Sequence, residues 1–335
     1  MRRLTLAEAE AFATATLARF DTAPDIAALV ARALVLSEAS GLKGHGLMRL
    51  ETYSIQTLAK KIDGHARPQA RRVAPGLVAV DARTGFSYAA IDLALGELAE
   101  MAPRQGIAMA GINHSGHSGA IGLHVEKLAE RGLVGMMFAN APASIAPWGG
   151  RRAVFGTNPI AFAAPRSGSE PIVVDLSVAK VARGKILAAE QRGESIPEGW
   201  AVDAEGRPTT DARAALAGTM LPMGDAKGTA LALMVEAFSS ALVGAAFATE
   251  QSSYFTPDGG PPGAGHAIIA FDPSFFAADA LGRMAELAAS IEDQDGARLP
   301  GTSRRAARAR AAAEGLVVDP TLDAAIARLG ERHGR

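Results

Sequence analysis

Residues 107–138 read IAMAGINHSGHSGAIGLHVEKLAERGLVGMMF. Ile107 to Ile112 is a short apolar run of strand length, Gly119 to Arg131 carries apolar residues at helical spacing, and Val134 to Phe138 is again a strand. A strand, a glycine-dense turn, a helix and a second strand within about thirty residues predict a layered α/β centre. The pattern extends outward in both directions. Leu77 to Val80 reads as a strand and Phe86 to Met101 as a helix on the N-terminal side; Pro171 to Val174 and Ala267 to Phe271 read as strands on the C-terminal side, with the Pro257–Pro262 stretch as a loop.

Both chain ends read as helical. Thr5 and Glu8 have capping-box spacing before an alanine-rich run to Phe20, and Pro24 suits the first turn of a helix carrying Ile26, Leu29, Val30, Ala33 and Leu34. Phe276–Ile291, Ser303–Ala313 and Leu322–Leu329 are the C-terminal helices, separated by Pro300-Gly301 and Pro320. The predicted organisation is a helical segment 1–70, an α/β cofactor-binding and catalytic domain 71–275, and a helical segment 276–335 that packs with the first.

With 34 Lys+Arg against 35 Asp+Glu the net charge is −1, so the basic excess that a phosphate backbone requires is lacking and nucleic acid is not the expected partner. Apolar residues at 48% and charged residues at 21% describe a folded globular chain. There is no Cys, which removes disulfides, zinc–thiolate sites, iron–sulfur clusters and cysteine nucleophiles. Glu8 and Glu10 interrupt any secretory apolar stretch, so a cytoplasmic location is expected. The Thr229–Thr249 stretch approaches membrane-span length, but Glu236 and Ser239-Ser240 in its middle make it a buried helix, and no membrane partner is expected.

Four segments hold polar residues in patterns that suit chemistry. Gly111–Gly119 joins a strand to a helix N-terminus, a generic anion site, although a plain turn with incidental histidines explains it equally well; the glycine spacing matches neither the usual dinucleotide fingerprint nor a phosphate loop. His114 and His117 lack a third ligand at suitable spacing, so no metal is expected. Lys43–Arg49 sets His45 between glycines with Arg49 one helical turn on, an acid/base group beside a carboxylate clamp, or else a loop histidine. Asp175 ends the apolar run Val173-Val174, where a carboxylate orients an imidazole or caps a helix. The Arg304–Arg310 cluster reads as a solvated helix face or as a phosphate contact.

Taken in order, G-H-G-L-x-R-L at Gly44–Leu50, G-H-S-G at Gly116–Gly119, A-P-W-G-G at Ala146–Gly150, G-T-N-P-I at Gly156–Ile160, D-L-S at Asp175–Ser177, I-P-E-G-W at Ile196–Trp200, P-M-G-D-A-K-G at Pro222–Gly228 and L-P-G at Leu299–Gly301 resemble the malate/L-lactate dehydrogenase family of the non-Rossmann type. That family includes malate, sulfolactate and ureidoglycolate dehydrogenases and the piperideine-2-carboxylate/pyrroline-2-carboxylate reductases. The resemblance implies a mixed-sheet, non-Rossmann α/β cofactor-binding domain, a helical domain built from both chain termini, and a homodimer. It also implies NADPH or NADH as cofactor and a small carboxylate substrate.

Carried over by motif, the resemblance makes His45 the proton donor and Asp175 its supporting carboxylate. Arg49, Tyr53 and Lys227 fall to the substrate; His117, Ser118, Gly119, Thr157, Asn158, Pro159, Ser177, Gly228 and Arg304 fall to the cofactor. Two positions depart from the family pattern. Gly44 stands where a serine usually precedes the histidine, and Ser118 where a phenylalanine is usual, so substrate identity is more open than reaction type. The expected activity is hydride reduction of a cyclic imino acid. The alternatives are a 2-hydroxy acid dehydrogenase acting on malate, lactate or sulfolactate, and a non-catalytic ligand-binding protein on the same fold.

Overall fold

The computed structural model describes residues 2–334. Strand β1 (Arg2–Leu4) leads into helices α1 (Leu6–Arg19), α2 (Pro24–Ala39) and α3 (Arg49–Leu58). The centre runs β2 (Gln69–Ala74), β3 (Leu77–Asp81), α4 (Ser87–Gln105), β4 (Ile107–Ser115), α5 (Gly122–Ala129), β5 (Val134–Ala139), β6 (Ile160–Arg166) and β7 (Ser169–Leu176). Next come α6 (Arg183–Arg192), β8 (Ala201–Val202), β9 (Pro208–Thr209), α7 (Ala212–Ala217), β10 (Thr219–Met220) and α8 (Ala226–Glu236). Strand β11 (Ala264–Phe271), helices α9 (Ala280–Glu292) and α10 (Thr302–Glu314), β12 (Leu316–Val318) and α11 (Pro320–His333) complete the chain.

Seven strands form the main sheet in the order β2-β3-β4-β11-β5-β6-β7. Only β3 and β4 pair in parallel; the late strand β11 runs antiparallel between β4 and β5. This placement is the physical difference from a doubly wound sheet. The β4–α5–β5 unit is read correctly from sequence as strand, helix, strand, but its two strands are held apart by β11 and never touch. Alanines at Ala108, Ala110, Ala163 and Ala270 keep the sheet face thin, so Leu98 of α4 and Leu128 of α5 pack closely onto it.

The two chain ends meet in one core. β1 pairs with β12, Arg2 opposite Val318 and Leu4 opposite Leu316. Leu17, Phe20 and Leu34 share a buried cluster with Leu322, Ile326 and Leu329. The capping box forms as its spacing predicts: Glu8 N–H reaches the Thr5 hydroxyl at 3.2 Å and the Glu8 carboxylate receives the Thr5 N–H at 2.8 Å. Of the C-terminal helices, α10 and α11 contact α2 and α3, whereas α9 lies on β6 of the large sheet.

Several boundaries move for local reasons. Helix α5 begins at Gly122 because Gly119 has φ +66°, outside the helical region. Pro320 is the first residue of α11, with Asp319 capping it, and so opens a helix instead of separating two. The apolar 229–249 stretch is α8 followed by a π turn at Ala237–Ala241, and among the described residues no helix is long and apolar enough to cross a membrane. Glu236 at this junction is buried and accepts from Asn140 Nδ2 at 3.2 Å, Asn158 Nδ2 at 2.9 Å and Ala248 N–H at 2.7 Å. Sequence reading missed β2, β6 and the small sheet β10-β8-β9, whose two-residue strands carry no usable periodicity.

Candidate active site

The site is built where α3 faces the turn that follows β4. Before α3 the chain makes a single turn at Lys43–His45, closed by His45 N–H to Leu42 O at 2.8 Å. Glu38 fixes the exit from this turn. Its carboxylate accepts Leu47 N–H at 3.0 Å, and a Cβ on Gly46 would lie 3.1 Å from Glu38 Cα, so glycine allows the close approach. Arg49 opens α3 and Tyr53 follows one turn later on the same face.

Opposite, His117 leaves the end of β4 and lays its ring on His45, centroids 5.3 Å apart and planes 11° from parallel. Its Nδ1 lies 2.7 Å from the Tyr53 hydroxyl, which lies 3.0 Å from the Tyr88 hydroxyl. The Tyr254 ring sits 5.4 Å from the His117 ring. All three tyrosines of the chain, Tyr53, Tyr88 and Tyr254, therefore converge here. Gly119 passes so close that a Cβ would lie 2.5 Å from the Tyr88 oxygen.

Arg49 turns back to donate from Nε to Gly44 O at 2.7 Å, and its guanidinium stacks 4.8 Å over the Phe255 ring. Among the described residues it has no carboxylate partner. Burial, with Arg49 second, pushes the His45 imidazole down to about 4, and the same causes hold His117 well below the ordinary histidine range. The Tyr53 hydroxyl is pushed up to about 12 by burial. What results is a pair of neutral, stacked imidazoles beside an uncompensated guanidinium. That arrangement binds an anion and exchanges hydrogen bonds with a polar atom next to it.

The structure brings His45, Arg49, Tyr53 and His117 together and gives Tyr53 and Asp175 neighbours other than those expected. Tyr53 is 1% exposed with its hydroxyl within hydrogen-bond reach of both His117 and Tyr88, so it backs the His117 ring. Asp175 does not join His45. Its Oδ2 accepts Gly122 N–H at 3.0 Å, at the start of α5, and faces Arg304 Nη1 at 3.9 Å; burial raises its pKa and Arg304 opposes that. The expected support of the imidazole by this carboxylate is absent because β7 ends at α5, away from the His45 turn.

The remaining residues form the surrounding framework. Asn158 is buried and donates to Ala232 O at 3.1 Å and to Glu236; the Ser177 hydroxyl donates to Thr157 O at 3.1 Å, and Pro159 O accepts from Ala139 N–H at 3.3 Å. Ser118 is buried with its carbonyl 2.8 Å from His124 Nε2. Lys227 is exposed, and Gly228 packs so tightly that a Cβ would meet Met223 O. His114 diverges from His117 and pairs with Asp81 at 3.0 Å. In the Arg304–Arg310 cluster, Arg308 forms a two-pronged bridge to Glu126 (2.9 and 2.6 Å) and Arg305 faces Glu170, while Arg310 is exposed, so the solvated-face alternative describes only part of the cluster.

Among the buried polar side-chain atoms without a hydrogen-bond partner are His45 Nδ1, Asn158 Oδ1 and Arg304 Nη1, and Gly44 and Gly116 each front open space. A half-buried pair of imidazoles beside a guanidinium without a carboxylate partner, on a mixed-sheet α/β scaffold, can hold a small carboxylate next to a hydrogen-bonding ring nitrogen. The malate/L-lactate dehydrogenase family model matches residues 4–327. A (2R)-3-sulfolactate dehydrogenase (NADP(+)) from Chromohalobacter salexigens is 47% identical over 307 residues, 92% of each chain. A Delta(1)-pyrroline-2-carboxylate/Delta(1)-piperideine-2-carboxylate reductase from Pseudomonas aeruginosa is 40% identical over 96% of this chain and 97% of its own. The crystal structure of delta1-piperideine-2-carboxylate reductase from Pseudomonas syringae pvar. tomato superposes with TM-score 0.92 at 34% identity, covering 99% of both chains. The chain belongs to the malate/L-lactate dehydrogenase family and is an NAD(P)-dependent oxidoreductase.

The buried histidines make stability pH-dependent. Burial lowers His124 to about 4 and His266 to about 3 from 6.5. Below 6.5 the unfolded chain binds protons that the folded one refuses, so stability present at neutral pH is lost as pH falls from 6.5 toward 4. Each of these two contributes up to about 1.4 kcal/mol per pH unit in that window. Urea midpoints at pH 7.5, 6 and 5 are expected to fall in that order, more steeply below 6; equal midpoints would show that the imidazoles charge freely in the fold.

Proposed function

We propose that the protein reduces a cyclic imino acid of the piperideine-2-carboxylate or pyrroline-2-carboxylate class, with NADPH or NADH as reductant. The observation that supports this most is the neutral His45–His117 pair beside unpaired Arg49. A cyclic imine is protonated on its ring nitrogen before it binds, so the site need only accept that N–H. A 2-oxo acid instead builds negative charge on oxygen and demands an acid. Arg49 binds the C1 carboxylate through paired N–H donors and thereby fixes which carbon is presented. His45 accepts the substrate N–H at a ring nitrogen, while Tyr53 keeps the His117 ring in place.

The nicotinamide, when bound, supplies the hydride. The residues fit such a group: Arg304 has a buried Nη1 that makes no hydrogen bond, its one ionic neighbour being Asp175 at 3.9 Å, near the N-terminus of α5, where a phosphate oxygen is favoured by backbone donors and helix dipole. His117–Gly119, Thr157–Pro159, Ser177 and Gly228 complete the cleft proposed to hold it, with Lys227 assigned to the substrate. NADPH is the first choice because the Chromohalobacter relative is named for NADP(+).

The protein is proposed to act as a homodimer in the cytoplasm. Leu233 and Leu242, on α8 and just beyond it, and Phe247 are exposed apolar side chains of the kind a second copy covers. The 47% identity to a sulfolactate dehydrogenase favours a second reading, reversible oxidation of a 2-hydroxy acid. Rates of NADPH oxidation with piperideine-2-carboxylate, pyrroline-2-carboxylate, pyruvate, oxaloacetate and sulfopyruvate decide between them: faster turnover of the cyclic imines is expected, and turnover of sulfopyruvate alone would establish the second reading.

A further inference from the structure

Lys61 is a buried cation that no step above uses. It is 1% exposed, and its Nζ donates to three backbone carbonyls of one loop: Ser253 at 2.7 Å, Thr256 at 3.0 Å and Asp258 at 2.6 Å. Gln56 on α3 donates to Tyr254 O in the same loop. An ammonium has three donors, and here all three are spent on a segment almost two hundred residues away in sequence. Between the clamped carbonyls stand the two aromatic residues that touch the site, Tyr254 against His117 and Phe255 beneath Arg49. Phe255 is 62% exposed, so apart from the face on Arg49 its ring borders open space.

We propose that Lys61 is a positioning residue that clamps the 253–258 loop and sets Phe255 as the apolar wall of the substrate pocket, which makes Phe255 a specificity-determining residue. This rests on the reading of Arg49 and His45 as the substrate site. A carboxylate held by Arg49 has its hydrocarbon ring or chain next to the Phe255 edge, and the clamp keeps that edge from swinging away. Loss of the clamp therefore weakens substrate binding, while His45, which the loop does not touch, and the His117 ring, held by the Tyr53 hydroxyl, keep their places.

The test compares Lys61→Met, Phe255→Ala and the double variant. Each single variant is expected to raise the KM for the preferred substrate about tenfold with kcat within about threefold and the KM for NADPH unchanged. The double variant is expected to be no worse than Lys61→Met alone, because both act through one wall. Hydrogen exchange at the amides of residues 253–258 is expected to accelerate in Lys61→Met and not in Phe255→Ala. Multiplying effects in the double variant, equal rises in KM for substrate and NADPH, or unchanged exchange would overturn the proposal. Full activity in a His45→Ala protein would overturn the underlying site reading instead, and the exchange measurement, which needs no turnover, still decides whether Lys61 holds the loop.

Discussion

A His45→Ala protein is expected to lose about 10²- to 10³-fold in kcat/KM while NADPH titrates it as tightly as the parent. The imidazole is the polar group best placed beside Arg49, stacked on His117 at 5.3 Å, and its removal leaves the substrate nitrogen without an acceptor. Nothing in the core depends on this ring: it sits on a one-turn loop, its Nδ1 makes no hydrogen bond, and the flanking Gly44 and Gly46 place the backbone independently. Fold and cofactor binding are thus expected to survive, which separates a chemical loss from a structural one. Steady-state kinetics beside a fluorescence titration with NADPH make the comparison, and parent-like kcat/KM would remove His45 from the mechanism.

Arg49→Lys is expected to raise the substrate KM by about 10²-fold, because a point charge replaces two parallel donors matched to a carboxylate. The same substitution breaks the Nε bond to Gly44 O and the stack over Phe255. Arg49→Ala has a second consequence. Arg49 lowers both His45 and His117, so without its charge both imidazoles are expected to titrate higher, an upward shift that histidine NMR signals read without turnover. A KM unchanged in Arg49→Lys would show that the carboxylate is held elsewhere.

The parts of the site visible in sequence were those that lie close together along the chain. His45, Arg49 and Tyr53 fall within nine residues: Arg49 and Tyr53 are four apart on one helix and share a face, and His45 sits in the turn just before it. The strand–helix–strand unit around 107–138 was likewise local. The position of β11 was not: its place between β4 and β5 is fixed by pairing across more than a hundred residues, which no window of sequence contains. Lys61, Tyr254 and Phe255 were hidden for the same reason, since a lysine reads as surface until its three carbonyl acceptors are seen. Asp175 was legible as a strand-end carboxylate, and both alternatives read there were reasonable. The structure makes it the partner of Gly122 N–H and Arg304, close to the helix-capping alternative.

The pH dependence of kcat/KM for a cyclic imine, measured between pH 5.5 and 9 with an open-chain 2-oxo acid alongside, tests most directly whether His45 works as a neutral imidazole. With His45 at about 4, the imine profile is expected to show no histidine limb in this range and to fall on the alkaline side only as the substrate loses its own proton. An alkaline limb near 6.5 shared by the imine and the 2-oxo acid would mean that a protonated histidine drives both reactions, and the neutral pair beside Arg49 would not be the basis of substrate choice.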